Sequence, residues 1–122
     1  MAGPVARLTA ADLKSLLRIP FDGRRWIDVV DHHFHVRIGN APPTLDRESS
    51  LAQIKSLLAR LTRIGCDFCE LWQRREAIYA ETDLCYLDEH GLERSIPCVI
   101  IARVAGGRLI ELRFHFDPAP LG

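Results

Sequence analysis

Residues 91–118 read GLERSIPCVIIARVAGGRLIELRFHFDP, and this stretch decides the fold. Segments 95–104 and 108–116 are rich in apolar and β-branched residues with a period of two, which predicts β-strands. Segments 66–74 and 77–87 have the same character. The turns QRRE, DEHGLER and AGG join the four segments, and each has a length suited to a hairpin. The C-terminal half therefore predicts four meandering strands.

The N-terminal half shows helix signals instead. Thr9 and Asp12 form a capping box, in which each side chain accepts a hydrogen bond from the other residue's backbone, so a helix begins there. Three leucines supply its apolar stripe, and Pro20 prevents it from continuing. Asp22 predicts the start of a second helix, in which apolar residues within 26–33 share one face. Both helices are amphipathic and therefore need a surface to cover.

A short strand, a break and a long helix connect the two halves. Residues 35–38 alternate and predict the strand, and GNAPP at 39–43 is a clear break. A continuous apolar stripe predicts a helix over 47–64, and Gly65 is suited to its C-terminal stop. Helices followed by a run of strands indicate an α+β fold, with the helices on one face of an antiparallel sheet.

The composition is that of an ordinary globular protein. The chain has 122 residues, of which 48% are apolar and 26% charged, so we expect a single domain over 1–122. Sixteen basic residues balance sixteen acidic ones, and this neutrality argues against nucleic acid as a partner. No long apolar run predicts a membrane span, and 1–17 lacks the uninterrupted apolar core of a secretion signal. We therefore expect a cytoplasmic protein with four free thiols, at Cys66, Cys69, Cys85 and Cys98.

The C-terminal stretch is similar to the last strands of SnoaL-like proteins, a branch of the nuclear transport factor two-like superfamily. The shared features are a turn glycine at Gly91, a strand that opens near Pro97, a glycine-basic-apolar turn at 107–109, and an Arg-x-aromatic-x-Asp pattern ending at Asp117. His115 stands at the aromatic position, where relatives often have a tyrosine. The similarity extends upstream through the second helix and the long helix.

This resemblance implies a cone-shaped fold of the cystatin-like type. A curved antiparallel sheet would carry about three helices on its concave side and enclose an apolar pocket. Relatives are commonly dimers through the outer sheet face, so a homodimer is expected. Their activities include polyketide cyclisation, ketosteroid isomerisation and limonene epoxide hydrolysis, and other members are not enzymes. The resemblance thus implies a pocket for a small hydrophobic molecule, in either a cofactor-free acid–base enzyme or a non-catalytic binding or dimerisation module.

Three residues are candidates for acid–base catalysis. The resemblance implies that Asp117, at the end of the last strand, faces the pocket and acts as the base. Asp83 matches the aspartate of an Arg-x-Asp motif in the epoxide-hydrolase relatives, although Glu81 replaces the arginine. His115 is the alternative proton partner. Two carboxylates in an apolar cavity would raise the pKa of one of them, which leaves one acid and one base.

Strand alternation leaves a simpler interpretation open. Glu111 and Arg113 share the face of Asp117, and Phe114 and Phe116 share the opposite face. The charged face could be a solvated surface with cross-strand ion pairs. The two phenylalanines could then form an apolar patch for a dimer.

Aromatic and apolar side chains are candidates for the pocket lining. On helices that cap a cone they would give an apolar cavity, although most aromatic stripes are simply core. An arginine on the last strand is the candidate cation. The predicted ligand-binding residues are Trp26, Val30, Phe34, Phe68, Trp72, Tyr79 and Arg113.

We expect neither a metal nor a cofactor. The cluster DHHFH at 31–35 has no H-x-x-x-H spacing, and adjacent histidines on a helix diverge by about 100°. Cys66-x-x-Cys69 is a lone pair without a second pair of ligands. The sequence also contains no dinucleotide fingerprint, Walker loop or nucleophile elbow.

Overall fold

Three α-helices and five strands make up the fold, and the computed structural model describes residues 8–122. The N-terminal half supplies the helices and one strand, and a short 3-10 helix, Ala119–Leu121, follows the last strand. None of the helices in this described part is long and apolar enough to cross a membrane. The elements are α1 (Ala10–Leu16), α2 (Gly23–Val29), β1 (Val30–Ile38), α3 (Arg47–Ala59), β2 (Cys66–Arg74), β3 (Ala77–Leu87), β4 (Glu93–Ala105) and β5 (Arg108–His115).

The strands form one open, mixed sheet in the order β1-β5-β4-β3-β2. Strands β2 to β5 run as the predicted antiparallel meander, whereas β1 lies parallel to β5. The α+β class is therefore confirmed, and the expectation of a wholly antiparallel sheet is wrong. The long connection from β1 through α3 and three strands gives the chain room to return in the same direction. Strands β1 and β2 are the two edges of the sheet.

The boundary between α2 and β1 differs from the predicted helical face over 26–33. The helix ends at Val29, and Val30 begins a strand that continues to Ile38. Two consecutive valines disfavour a helix because their branched side chains lose χ1 freedom there. Pairing with β5 stabilises the extended conformation, since Val30 lies opposite Leu109 and is fully buried.

Helix α3 begins as predicted but ends at Ala59, before the predicted end near Ile64. The chain beyond it pairs with the end of β3. The Thr62 N–H donates to the Cys85 carbonyl, and the Cys85 N–H donates to the Gly65 carbonyl, both at 2.8 Å. Gly65 has a φ of +65°, in the left-handed region that favours glycine. These sheet-like hydrogen bonds replace the last helical turn that the apolar stripe predicted.

The predicted helix starts are confirmed. The Asp12 N–H donates to Thr9 Oγ1 at 3.2 Å, and the Thr9 N–H donates to Asp12 Oδ2 at 2.8 Å, which completes the capping box of α1. Asp22 caps α2 by accepting from the backbone of its first turn at 3.1 Å. Asp46 caps α3, and hydrogen bonds from Ser49 lower the pKa of its carboxyl group.

One face of the sheet, here called the inner face, packs beneath the helices. In β5 it carries Leu112 and Phe114, and the Trp26 ring of α2 lies with its centroid 6.5 Å from that of Phe34. All four of these side chains are at most 1% exposed, so side chains fill the described interior. The buried inner-face residues of β3 and β4 include Ile78, Ala80, Leu84, Ile96, Ile100 and Ala102.

Thr44 and Ser50 close the free edge of β1. The Thr44 N–H donates to the Val36 carbonyl at 2.9 Å, and the Val36 N–H donates to Thr44 Oγ1 at 2.8 Å. Ser50 Oγ lies 2.5 Å from Thr44 Oγ1 and 3.0 Å from the Phe34 carbonyl. Both hydroxyl residues are buried, so water cannot easily replace these bonds. The network joins the first turn of α3 to the edge strand.

The opposite edge strand, β2, contains a β-bulge. Its register against β3 shifts between Phe68 and Glu70, so Cys69 is the additional residue. Cys66 is buried and Cys69 is exposed, so the two thiols lie on opposite sides of the strand.

We expect Thr44→Val to destabilise the protein by about 1–3 kcal/mol, because the isosteric valine leaves the buried Val36 N–H without an acceptor. The matched control is Thr62→Val, since the buried Thr62 hydroxyl has no hydrogen-bond partner within residues 8–122. This control should be neutral or stabilising. Urea unfolding followed by tryptophan fluorescence measures both variants, and equal losses of stability would contradict the role given to Thr44.

Candidate functional site

An open groove lies between α3, the C-terminal ends of β1 and β5, and the last turn of the chain. Its volume is about 330 Å³. Small-molecule sites typically measure roughly 300–1,000 Å³. The apolar walls come from separate elements and include Ile38, Leu57, Phe116 and Leu121. The polar groups that line the groove are Asn40, Gln53, Ser56 and Arg60.

Two local features bring the walls of the groove together. The Gly39 N–H donates to the Phe114 carbonyl at 2.9 Å, and Gly39 has a φ of +57°. A Cβ at this position would lie 3.1 Å from Pro118 Cγ, so glycine lets the loop after β1 approach the C-terminal segment. On the other side, Asp117 Oδ1 accepts from the Ala119 N–H at 3.1 Å and turns the chain toward α3.

Asp117 therefore has a structural role in the described fold. Its neighbours Phe116 and Pro118 line the groove, but Asp117 itself does not. Its side chain is exposed, and its carboxylate is engaged with the backbone of the next turn. The predicted catalytic base thus holds one wall of the groove in place, and its carboxylate does not lie in a sheltered apolar cavity.

The charged face of β5 points away from the helices. Leu112 and Phe114 lie on the inner face, so Glu111, Arg113 and His115 lie on the opposite side, here called the outer face. The predicted alternation is confirmed, but the expectation that its charged side faces the interior is wrong. A dimer patch that uses Phe114 is also wrong, because this side chain is 1% exposed. Burying the charged side beneath the helices would cost far more free energy than burying the phenylalanine.

Asp83 and His115 line one shallow depression on the outer face, with a volume of about 260 Å³. Glu81 and Cys69 also line this depression. On the intervening strand β4, Asp83 lies opposite Pro97 and His115 lies opposite Val99. The backbones of Asp83 and His115 are thus two strands and two residues apart, which is about 12 Å. The structure therefore brings two of the three catalytic candidates to one depression and places Asp117 elsewhere, at the groove.

The predicted ligand-binding residues are divided between the core and the outer face. Trp26, Val30 and Phe34 are fully buried, which makes them core residues. Trp72 and Tyr79 stack on the outer face with their ring centroids 6.0 Å apart. The predicted aromatic residues are thus divided between the buried core and the outer face.

The other two candidates lie at the inner edge and on the outer face. Phe68 is half-buried, and Lys14 Nζ lies 6.0 Å from its ring centroid. Arg113 Nε lies 3.0 Å from Glu111 Oε1. None of the seven predicted ligand-binding residues lines the groove. The sequence did not predict the groove, because its walls come from well-separated segments. Only the apolar alternation that ends at Phe116 indicated one of its walls.

The cluster at 31–35 lies on strand β1 and not on a helix. His32 and His33 are exposed, and His35 Nε2 lies 3.5 Å from Glu111 Oε2. Within residues 8–122, no three His, Cys, Asp or Glu side chains are arranged to hold a metal ion. The histidines are surface groups, and His35 is an ion-pair partner when it is protonated.

Four carboxylates form an acidic patch on the outer face of β2 and β3: Asp67, Glu70, Glu81 and Asp83. Asp67 lies directly opposite Asp83, and Glu70 lies directly opposite Glu81. Like charges in opposed positions destabilise a sheet. In the part of the chain that the structure describes, none of the four forms an ion pair with a cation. The patch therefore carries a repulsion that the described residues do not relieve.

A basic cleft lies on the same face at the β2–β3 turn. Three arginines, Arg74, Arg75 and Arg103, line this cleft together with one carboxylate, Glu76, and its volume is about 580 Å³. Arg103 has an ion pair at 4.0 Å, and the other two arginines have none among the described residues. The stacked Trp72–Tyr79 pair lies between the basic cleft and the acidic patch along β2 and β3. Opposite charges are thus separated on one surface.

All four cysteines are free, but they differ in exposure. Burial raises the pKa of the Cys66 and Cys98 thiols to about 12. Partial desolvation raises the pKa of the exposed Cys69 thiol, and carboxylates of the acidic patch add to the rise. Cys69 Sγ lies 3.9 Å from Asp83 Oδ2. A thiol with a raised pKa is a poor nucleophile at neutral pH, which argues against cysteine chemistry in the depression.

The helices over one face of a five-stranded mixed sheet form the nuclear transport factor two-like fold of SnoaL-like proteins. The chain is similar to a protein described as a SnoaL-like polyketide cyclase from Jannaschia sp. CCS1. The TM-score is 0.76 at 15% sequence identity, and the match covers 98% of this chain and 92% of that chain. The predicted resemblance is therefore confirmed at the level of the fold.

Two other solved structures support the same assignment of the fold. An NTF2-like protein of unknown function from Cytophaga hutchinsonii gives a TM-score of 0.69 at 14% identity, over 99% of this chain and 98% of that chain. A protein with a ketosteroid isomerase-like fold from Catenulispora acidiphila, in complex with trimethylamine, gives 0.64 at 7% identity, over 77% and 74%. No description of a known family matches the sequence, and no curated protein matches it. The likeness thus defines the fold, and the function has to be inferred from the residues of the candidate site.

We expect Cys69 to be the one thiol that a chromogenic disulfide reagent modifies readily in the folded protein, at a protein concentration low enough that no second copy covers the outer face. A free cysteine has a pKa of about 8.5. Because the pKa of Cys69 is raised, the pH midpoint of its modification should lie above this value. Asp83→Asn should lower this midpoint, since it removes a nearby carboxylate. Stopped-flow absorbance across neutral to alkaline pH measures the effect.

The control for this measurement is Glu89→Gln, an exposed residue between β3 and β4. It removes one negative charge far from the thiol in the fold and should leave the midpoint unchanged. Equal shifts in both variants, or rapid modification of more than one thiol, would contradict the local origin of the raised pKa.

Proposed function

We propose that this protein binds a small hydrophobic molecule in the groove between α3 and the ends of β1 and β5. The observation that supports this most directly is an apolar groove of ligand size in a fold whose described interior is filled by side chains. Covering apolar surface gains about 25 cal/mol per Å², so such walls favour an apolar occupant. The Catenulispora protein, which has a similar fold, is in complex with the small molecule trimethylamine, and this supports a binding role for the fold.

Binding without catalysis fits the chemistry of this interior. The buried polar residues within 8–122 are Thr44, Ser50 and Thr82, so no described Asp, Glu or His is fully sheltered from water. A cofactor-free isomerase, cyclase or epoxide hydrolase needs an acid or base whose pKa the site has tuned, and burial is the main means of tuning it. We therefore propose a ligand-binding protein that needs no cofactor.

Acid–base catalysis on the outer face is a second candidate. Asp83 and His115 share the depression there, and a spacing of two strands leaves room for a small substrate between them. The depression is shallow and open, so proton transfer would gain little from the exclusion of water. A hydrophobic ligand matches the apolar groove better than it matches this charged surface.

We also propose that the protein forms a homodimer through the outer face. The acidic patch and the basic cleft lie on this one surface, and a two-fold axis can set each patch against the partner's cleft. Trp72 and Val99, which are 45% and 40% exposed, would lie at the apolar centre of the interface. The pairing would also relieve the repulsion between opposed carboxylates on β2 and β3.

We expect Ser56→Phe to weaken the binding of an uncharged hydrophobic dye such as Nile red by roughly tenfold or more, because the ring would occupy the groove. Ser56 is exposed on α3, so the variant should remain folded. The matched control is Ala52→Phe, which places the same ring on an exposed position of the same helix outside the groove. Fluorescence titration measures both affinities. A folded Ser56→Phe variant with wild-type affinity would rule the groove out.

Charge inversion on the outer face should convert the homodimer into an obligate heterodimer. One variant carries Glu70→Lys with Glu81→Lys, and the other carries Arg74→Glu with Arg103→Glu. Each alone should dimerise roughly tenfold or more weakly than the wild type, because like charges then face each other. An equimolar mixture should associate again, because the substituted charges are once more opposed by the opposite sign.

Sedimentation velocity distinguishes these states, and Glu89→Lys is the control because Glu89 lies outside the acidic patch. This control should dimerise like the wild type. A wild-type protein that stays monomeric at high concentration, or a mixture that fails to associate, would contradict the proposed interface.

A further inference from the structure

We propose that the ligand of the groove is a small amphipathic carboxylate, whose charged head binds Arg60 and whose apolar body covers the groove walls. This inference rests on the binding function proposed above and specifies the chemical class of the ligand.

The charge of the groove points to an anion. Arg60 is the one charged side chain among the described residues that line it. Its Nη1 makes one long hydrogen bond, 3.5 Å to the Leu121 carbonyl, and it forms no ion pair within residues 8–122. The carboxylate of Asp117, which stands between the groove-lining residues Phe116 and Pro118, accepts a hydrogen bond from the Ala119 N–H. Most of the five guanidinium donors can therefore bind a ligand, and their fork geometry matches a planar carboxylate.

The position of Arg60 fits a ligand with two unlike ends. It is exposed at the C-terminal end of α3, whereas Leu57, about one turn earlier, is 5% exposed and lies against the groove. A ligand that spans the two keeps its head in water and places its body against Leu57, Ile38 and Phe116. Gln53 adds an amide donor further along the same helix.

A monoanion suits this site better than a phosphate monoester. A phosphate ester carries nearly two negative charges at neutral pH, and the described lining offers one cation. The negative end of the α3 dipole, at Arg60, opposes any anion, and this cost grows with the charge of the head group, so it is smaller for a monoanion than for a dianion. A carboxylate on a short unbranched or monocyclic apolar body matches both the charge and a volume of about 330 Å³.

NMR titration of the isotope-labelled protein with octanoate, octanol and octylamine tests the head group, since the three probes share one apolar tail. Octanoate should bind roughly tenfold more tightly than octanol, and octylamine should bind most weakly. The shifted amides should include those of the groove lining.

Two arginine variants locate the effect. Arg60→Met keeps an unbranched apolar stem without the charge and should lower the octanoate affinity to that for octanol, with the octanol affinity unchanged. Arg60→Lys should retain part of the preference for octanoate. The matched control is Arg63→Met, because Arg63 is exposed just beyond α3 and does not line the groove. It should bind octanoate like the wild type.

The failures of the two proposals are distinguishable. Equal affinities for octanoate and octanol, or equal losses in Arg60→Met and Arg63→Met, would overturn the carboxylate inference and leave a hydrophobic site in the groove. No shift of groove amides with any probe, together with wild-type dye binding by Ser56→Phe, would overturn the binding function and this inference with it.

Discussion

The parallel pairing of β1 with β5 is the constraint on which the other features depend. The register of Val36 opposite Leu112 brings the C-terminal ends of both strands to the same end of the sheet. The segments that follow them, 39–43 and 116–122, therefore meet beneath α3 and form the groove. An antiparallel β1 would have placed these segments at opposite ends of the sheet. Thr44 satisfies the free edge of β1 and so keeps this strand in register.

Signals that act over a few residues were sufficient to predict local structure from the sequence. The capping box at Thr9 and the four C-terminal strands are found close to where they were expected. The start of β1 at Val30 could not be predicted in the same way, because its partner Leu109 is remote in sequence. A period of two also defines two equivalent faces, and only packing against the helices decides which of them is buried.

The candidate site was less predictable than the fold, because function had been inferred from residue type. The resemblance indicated Asp117 and Asp83 as catalytic residues. In the structure, the Asp117 carboxylate stabilises the turn after β5, and the Asp83 carboxylate belongs to the acidic patch. Arg60 gave no signal because an arginine at the end of a predicted helix is usually a solvated surface residue. It lines the groove only because the remote segment 116–121 packs beside α3. The chain thus shares its architecture with distant proteins, while in residues 8–122 side chains fill the interior.

The bulge at Cys69 affects how the molecule resists aggregation. An unbroken edge strand presents evenly spaced backbone groups on which another chain can template fibril growth. In β2 the additional residue interrupts this spacing, and the charges of Asp67 and Glu70 flank it. At the far edge Thr44 already occupies the backbone of β1. Neighbouring molecules are therefore poorly placed to extend the sheet sideways into a filament.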